Sequence, residues 1–97
     1  MNNINFVAVR NAVRGYEHTI LRQLLPNGKK DGDEYVALNP TRNDKKLGSF
    51  RINTRSWKWA DFATNDKGGD IISLYAYVRG VNQLTAAKEI LKITGRV

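Results

Sequence analysis

The sequence predicts an α+β fold: a small antiparallel three-stranded sheet flanked by two N-terminal and two C-terminal helices. Three observations lead there. Apolar residues recur at helical spacing on either side of a central stretch, over residues 4–25 and again from residue 71 onward. The central stretch, residues 34–62, alternates instead with the period of two that a strand imposes. Clusters of Gly, Asn and Asp punctuate the boundaries. Neither the sheet nor the helices can bury an apolar face alone, so the helices are expected to pack on one side of the sheet. The 97 residues are expected to form one domain, with a helical part over 1–26, a sheet over 34–62 and a second helical part over 70–94.

The first helix is expected over residues 4–14, with Ile4, Val7 and Ala8 as its buried stripe and Val9 as a further candidate. Arg10 and Arg14 fall four apart on its polar side, and Gly15 breaks it. Residues 17–25 carry a second stripe, Ile20, Leu21, Leu24 and Leu25, which Pro26 ends. Residues 26–33 (PNGKKDGD) read as a polar loop. Asp31-Gly32-Asp33-Glu34 lacks the further oxygen ligands of a calcium loop and reads as a turn.

The first strand, residues 34–38, sets Val36 and Leu38 on one face and Tyr35 and Ala37 on the other. In the second, residues 49–54, Phe50 and Ile52 point inward while Arg51, Asn53 and Arg55 share the outward face. Thr54-Arg55-Ser56 is short enough for a hairpin turn into the third strand, residues 57–62, which carries Trp57, Trp59 and Phe62. Trp57 and Trp59 share a face of any regular strand, so splitting them between core and surface requires a bend or bulge. The expectation is that Trp59 packs and Trp57, beside the turn, stays partly exposed; the alternative is that both are core. Residues 65–69 read as a turn, and Asp70 as the N-cap of a helix over 71–79 with the stripe Ile71, Leu74, Tyr75 and Val78. Gly80 stops that helix. Asn82 caps a last one holding Leu84, Ala87 and Leu91 inward, with Ile90 a further candidate, and Gly95 closes it.

Composition narrows the chemistry. No cysteine is present, which excludes disulfides and thiolate metal sites. The one histidine, His18, has no nucleophile or paired carboxylate near it in sequence and is expected on a helix surface. No nucleophile elbow, phosphate-binding Gly-rich loop or zincin motif occurs, so neither a catalytic residue nor a cofactor is expected. No apolar run is long enough to span a bilayer, and the start lacks the pattern of a secretory signal; the cytoplasm is the expected compartment, with no membrane partner.

The net charge of +7 favours a phosphate-bearing partner. Most of the excess lies between Arg42 and Lys58, where Arg42, Lys45, Lys46, Arg51, Arg55 and Lys58 face one acid, Asp44, for a net +5. Arg51, Asn53 and Arg55 on one strand face, with Trp57 adjacent, suit single-stranded nucleic acid: guanidinium groups hold phosphates and a ring stacks on a base. Lys67 precedes Gly68-Gly69-Asp70; since Asp70 as N-cap occupies the helix amides, Lys67 rather than the helix terminus is the expected phosphate contact there. The competing reading is a solvated sheet face whose charges block edge pairing.

Several separated motifs, in order, resemble the zinc-binding domain of bacterial-type DNA primases. They are Asn39-Pro40-Thr41-Arg42, then Asp44-Lys45 leading into Gly48-Ser49-Phe50, Trp59-Ala60-Asp61-Phe62, and Lys67-Gly68-Gly69-Asp70 opening a helix with Ile71, Ile72 and Leu74. YVALNP at 35–40 and ADFATNDKGGD at 60–70 are more similar still to zinc-free versions in phage, plasmid and other mobile-element primase-helicase proteins. The resemblance covers about residues 35–94 and implies a zinc-ribbon-like sheet that has lost its metal. It sets Asn39 where the first zinc cysteine would stand, Arg42 where the histidine would, and Ala60 with its neighbours in place of the Cys-x-x-Cys pair. Asn and Arg do not form a zinc site, so no metal is expected. The stabilisation a metal would supply is expected from Phe50, Trp57, Trp59 and Phe62. The implied function is binding of single-stranded template DNA for DNA replication. The implied partner is a Toprim-type primase catalytic domain or a helicase, in cis or in trans. A protein–protein docking module without direct DNA contact is the alternative.

Overall fold

The structure, a computed structural model, describes residues 5–95. Ile4, counted above in the first stripe, lies outside them. The chain runs α1 (Phe6–Ala12), α2 (Glu17–Leu24), β1 (Lys29–Asp31), β2 (Glu34–Ala37), β3 (Phe50–Asn53), β4 (Trp59–Asp61), β5 (Asp66–Gly68), α3 (Ile71–Arg79) and α4 (Gln83–Thr94). The class is α+β with four helices, but the antiparallel sheet has five strands in the order β1-β2-β3-β4-β5, not three. The two additional strands lie in segments read as loop and turn. Lys29–Asp31 and Asp66–Gly68 contain no apolar alternation because both are edge strands, held by backbone pairing and by polar side-chain contacts such as Arg51 to Asp31 and Tyr77 to Asp66. Their turns carry the usual left-handed residues, Gly32 (φ 62°) before β2 and Asn65 (φ 66°) before β5.

Register divides the sheet into two faces. The inward rows are Lys30–Tyr35–Ile52–Trp59–Gly68 and Ala37–Phe50–Asp61–Asp66. Phe50 and Ile52 are fully buried and join Ile20, Leu21, Ile72, Leu74 and Ile90 in one continuous core. Trp59 enters that core against Gly68, whose missing side chain is essential: a Cβ there would stand 2.4 Å from the indole nitrogen. The indole N–H instead donates to Ser73 Oγ of α3 at 2.9 Å. Tyr77, also on α3, tilts over the same indole with ring centroids 4.6 Å apart.

The helix ends follow the sequence. Asp70 accepts from the Ser73 amide and completes a capping box, Asn82 accepts from the Thr85 amide, and Gly80 and Gly95 close α3 and α4 in the left-handed region. Two stripes need correction. On α1 the buried residue is Val9, with Val13 buried at the C-cap and Phe6 partly buried against the core, while Val7 and Ala8 face solvent. The helix docks through Phe6, Val9 and Val13, a stripe that spacing alone leaves open. On α4, Leu84 is exposed at the first turn, and Ala86, Ala87 and Ile90 take the core positions.

Candidate nucleic-acid interface

The basic strip is split by the fold into three environments. Arg42 turns inward, to the end of the sheet. Its Nε donates to Asp61 Oδ2 at 2.8 Å, and its Nη2 reaches Asp61 Oδ1 at 3.3 Å, Ser49 Oγ at 2.8 Å and Asp44 at 3.3 Å. Asp61 is fully buried, two residues after Trp59 and therefore on the same inward face. Asn39, also buried, donates from Nδ2 to Asp61 Oδ2 and to the Tyr77 hydroxyl, both at 2.8 Å. Tyr77 in turn donates to Asp66 at 2.7 Å. Burial opposes ionisation of Asp61, but hydrogen bonds from Arg42, Asn39 and the Ala63 amide outweigh it and hold the carboxyl well below the usual carboxylate range. Arg42 is thereby committed to the fold.

The second environment is the outer sheet face, where a concavity beside Arg51 is lined by sheet and tip residues and Val36 is buried. One row across this face reads Lys29–Val36–Arg51–Ala60–Lys67. Beside it, alternation brings Lys58 and Phe62 out from β4 and its extension, where the Phe62 amide donates to Ser49 O at 2.8 Å. Arg51 points outward as predicted, but its guanidinium is occupied: it donates to Gly48 O at 2.8 Å, Asp31 at 3.2 Å and Glu34 at 3.1 Å. Asn53 is likewise engaged, its Oδ1 accepting the Arg55 and Ser56 amides of the turn. Lys29, Lys58 and Lys67 make no ion pair with any described residue. Phe62, expected to help replace the metal by packing, is instead 69% exposed. Together with Arg51, Asn53, Lys58 and Ala60 it lines a shallow concavity of about 270 Å³.

The third environment is the tip between β3 and β4. Trp57 adopts φ 65°, a conformation rare for a bulky residue. Trp57 and Trp59 lie on the same, helix side of the sheet but differ in burial as expected: Trp59 is buried, and Trp57, beside the turn, is half-buried against the core, its ring edge-on to His18 with centroids 5.1 Å apart. Trp57 thus lies on the helix side, away from Arg51. Arg55 is exposed at the tip, 3.6 Å from Asp33. Lys45 and Lys46 are exposed on the loop between β2 and β3 and pair with no described residue.

Lys58 and Lys67 therefore come together on one face, while Arg55 and Trp57 go elsewhere and Arg42 goes inside. Sequence reasoning missed Phe62 as the exposed aromatic and Lys29 as a third open cation. Period-two alternation from Trp59 could have found the first. Nothing in the polar run containing Lys29 marked it as a strand. No protein-family model matches the chain, and no curated protein matches it.

Proposed function

We propose that the protein is a single-stranded DNA-binding module of a primase or primase-helicase system, holding template on its outer sheet face during replication in the cytoplasm. The observation that carries this reading is an exposed aromatic ring, Phe62, beside Lys58 on the outer sheet face, where Lys67 and Lys29 stand on the same side and none of the three lysines pairs with a described residue. Phosphates bind such ammonium groups by releasing counterions, and a base stacks on a ring of any orientation because every base has a π-face. Arg51 serves the face indirectly. It neutralises Asp31 and Glu34, which would otherwise repel a phosphate from the same surface. The resemblance to zinc-free primase domains supports the assignment, and the Asn39–Arg42–Asp61 network supplies what a metal would otherwise do at that end of the sheet. On this reading the module is not itself an enzyme. It presents template to a Toprim-type catalytic domain or a helicase, in cis or in trans.

Leu38, 44% exposed just past β2, lines a cleft with Leu24, Leu25 and Pro26 and favours a second reading, docking onto a protein partner. A salt titration separates the two. Binding of an oligothymidylate followed by fluorescence anisotropy should weaken log-linearly with salt, with a slope of about −2 for three phosphate contacts on a single strand. Binding that ignores salt, or no binding at low ionic strength, counts against the DNA reading.

A further inference from the structure

The tip between β3 and β4 separates the outer face from a second, larger concavity. It measures about 660 Å³ and lies between α1, the tip and the start of α3. Arg10 and Arg14 line it from the helical side and Arg55 and Trp57 from the tip. Ser56 lines both this groove and the outer-face concavity, so it forms the lip between them.

The charges in the groove are three guanidinium groups and two carboxylates, Glu17 and Asp70. Both acids have other work. Glu17 Oε1 accepts the Gly15 amide at 2.8 Å, and Asp70 Oδ1 accepts the Ser73 amide at 2.8 Å as the cap of α3. Arg10 reaches Asp70 only at 3.5 Å, and Arg55 reaches Asp33 at 3.6 Å with both side chains mostly exposed. Exposed pairs of that length contribute little and yield to a phosphate. Arg14 pairs with no described residue. Trp57 is the second observation: it lines this groove at the tip, its half-buried ring edge-on to His18, on the side of the sheet opposite Lys58.

From this we infer that a single strand of DNA bound on the outer face continues over the Ser56 lip into the α1 groove. There Arg14 and Arg55 hold its phosphates and Trp57 stacks a second base. The inference rests on the proposed function and adds a path and a polarity of contacts to it: Phe62 on one side of the tip, Trp57 on the other.

The test uses two oligothymidylates, one of about 4 nucleotides and one of about 12, lengths that span the usual footprints of single-strand sites. Arg14 and Arg55 are both exposed, so Arg14→Ala/Arg55→Ala leaves the fold intact. It should lower affinity for the longer oligomer about tenfold, flatten its salt slope by about 1.4, and leave the shorter one unchanged. Lys58→Ala/Phe62→Ala should weaken both lengths. If the arginine variant binds the longer oligomer as tightly as the parent protein while the outer-face variant does not, the path is wrong and the outer face stands. If the parent protein binds neither length, the functional reading itself fails and the path with it.

Discussion

Arg42 and Lys58 stand at opposite ends of one basic strip in the sequence, and the fold uses them in opposite ways. Arg42 is part of a closed network in which a buried carboxylate, a buried amide and a phenol satisfy one another, and no buried side-chain nitrogen or oxygen among the described residues lacks a partner. Lys58 stands on the outer sheet face beside an exposed ring and pairs with no described residue. The difference shows that charge density along a chain measures supply, whereas availability is decided by acids distant in sequence. Asp61 takes Arg42, and Asp31 with Glu34 take Arg51. Only cations without such a partner remain for a ligand.

The closed end should give the largest effect when broken. Asp61→Asn removes the buried carboxylate that accepts from Arg42 and should cost about 2 kcal/mol of stability, the worth of hydrogen bonds to a charged group, while Arg42 keeps Asp44 and Ser49. In a domain of this size that lowers Tm by about 10 °C, readable by calorimetry. The effect carries a pH signature. The folded carboxyl is held below its unfolded value, so its contribution is fully present above a pH of about 3.9 and is lost as pH falls below that toward the folded value. The parent protein should therefore lose stability on acidification more steeply than the Asn variant. Equal slopes would mean that the Asp61 pair does not hold this end of the sheet.

The open end should respond in binding and not in stability. Phe62→Ala removes a ring that is mostly in solvent, so thermal unfolding should shift by less than about 0.5 kcal/mol. Affinity for oligothymidylate should fall roughly tenfold, the loss of one base–aromatic stack. A variant that loses stability but not affinity would reverse the contrast between the two ends.

Much of the architecture was legible because it rests on local rules. Alternation placed Phe50 and Ile52 inside and Arg51 outside, and the caps at Asp70 and Asn82 and the stops at Gly80 and Gly95 follow from side-chain and backbone chemistry within a few residues. What escaped was non-local. β1 and β5 have no apolar signature because their partners, not apolar side chains, make them strands. Arg42 read as a surface cation because its carboxylate lies nineteen positions away in the chain. Yet Asp61 in the run Trp59-Ala60-Asp61-Phe62 offered a clue: the alternation that buries Trp59 buries the acid and exposes the phenylalanine. An acid placed inside calls for a cation, and Arg42 supplies it.

The central claim, that the outer sheet face grips single-stranded DNA, is tested most directly by titrating isotopically labelled protein with oligothymidylate and following amide shifts by NMR. The account predicts that the largest changes fall on β4, β5 and the tip between β3 and β4, around Lys58, Ala60, Phe62 and Lys67, with α4 and the C-terminal half of α3 undisturbed. Changes confined to α3 and α4, or none at low salt, would contradict it.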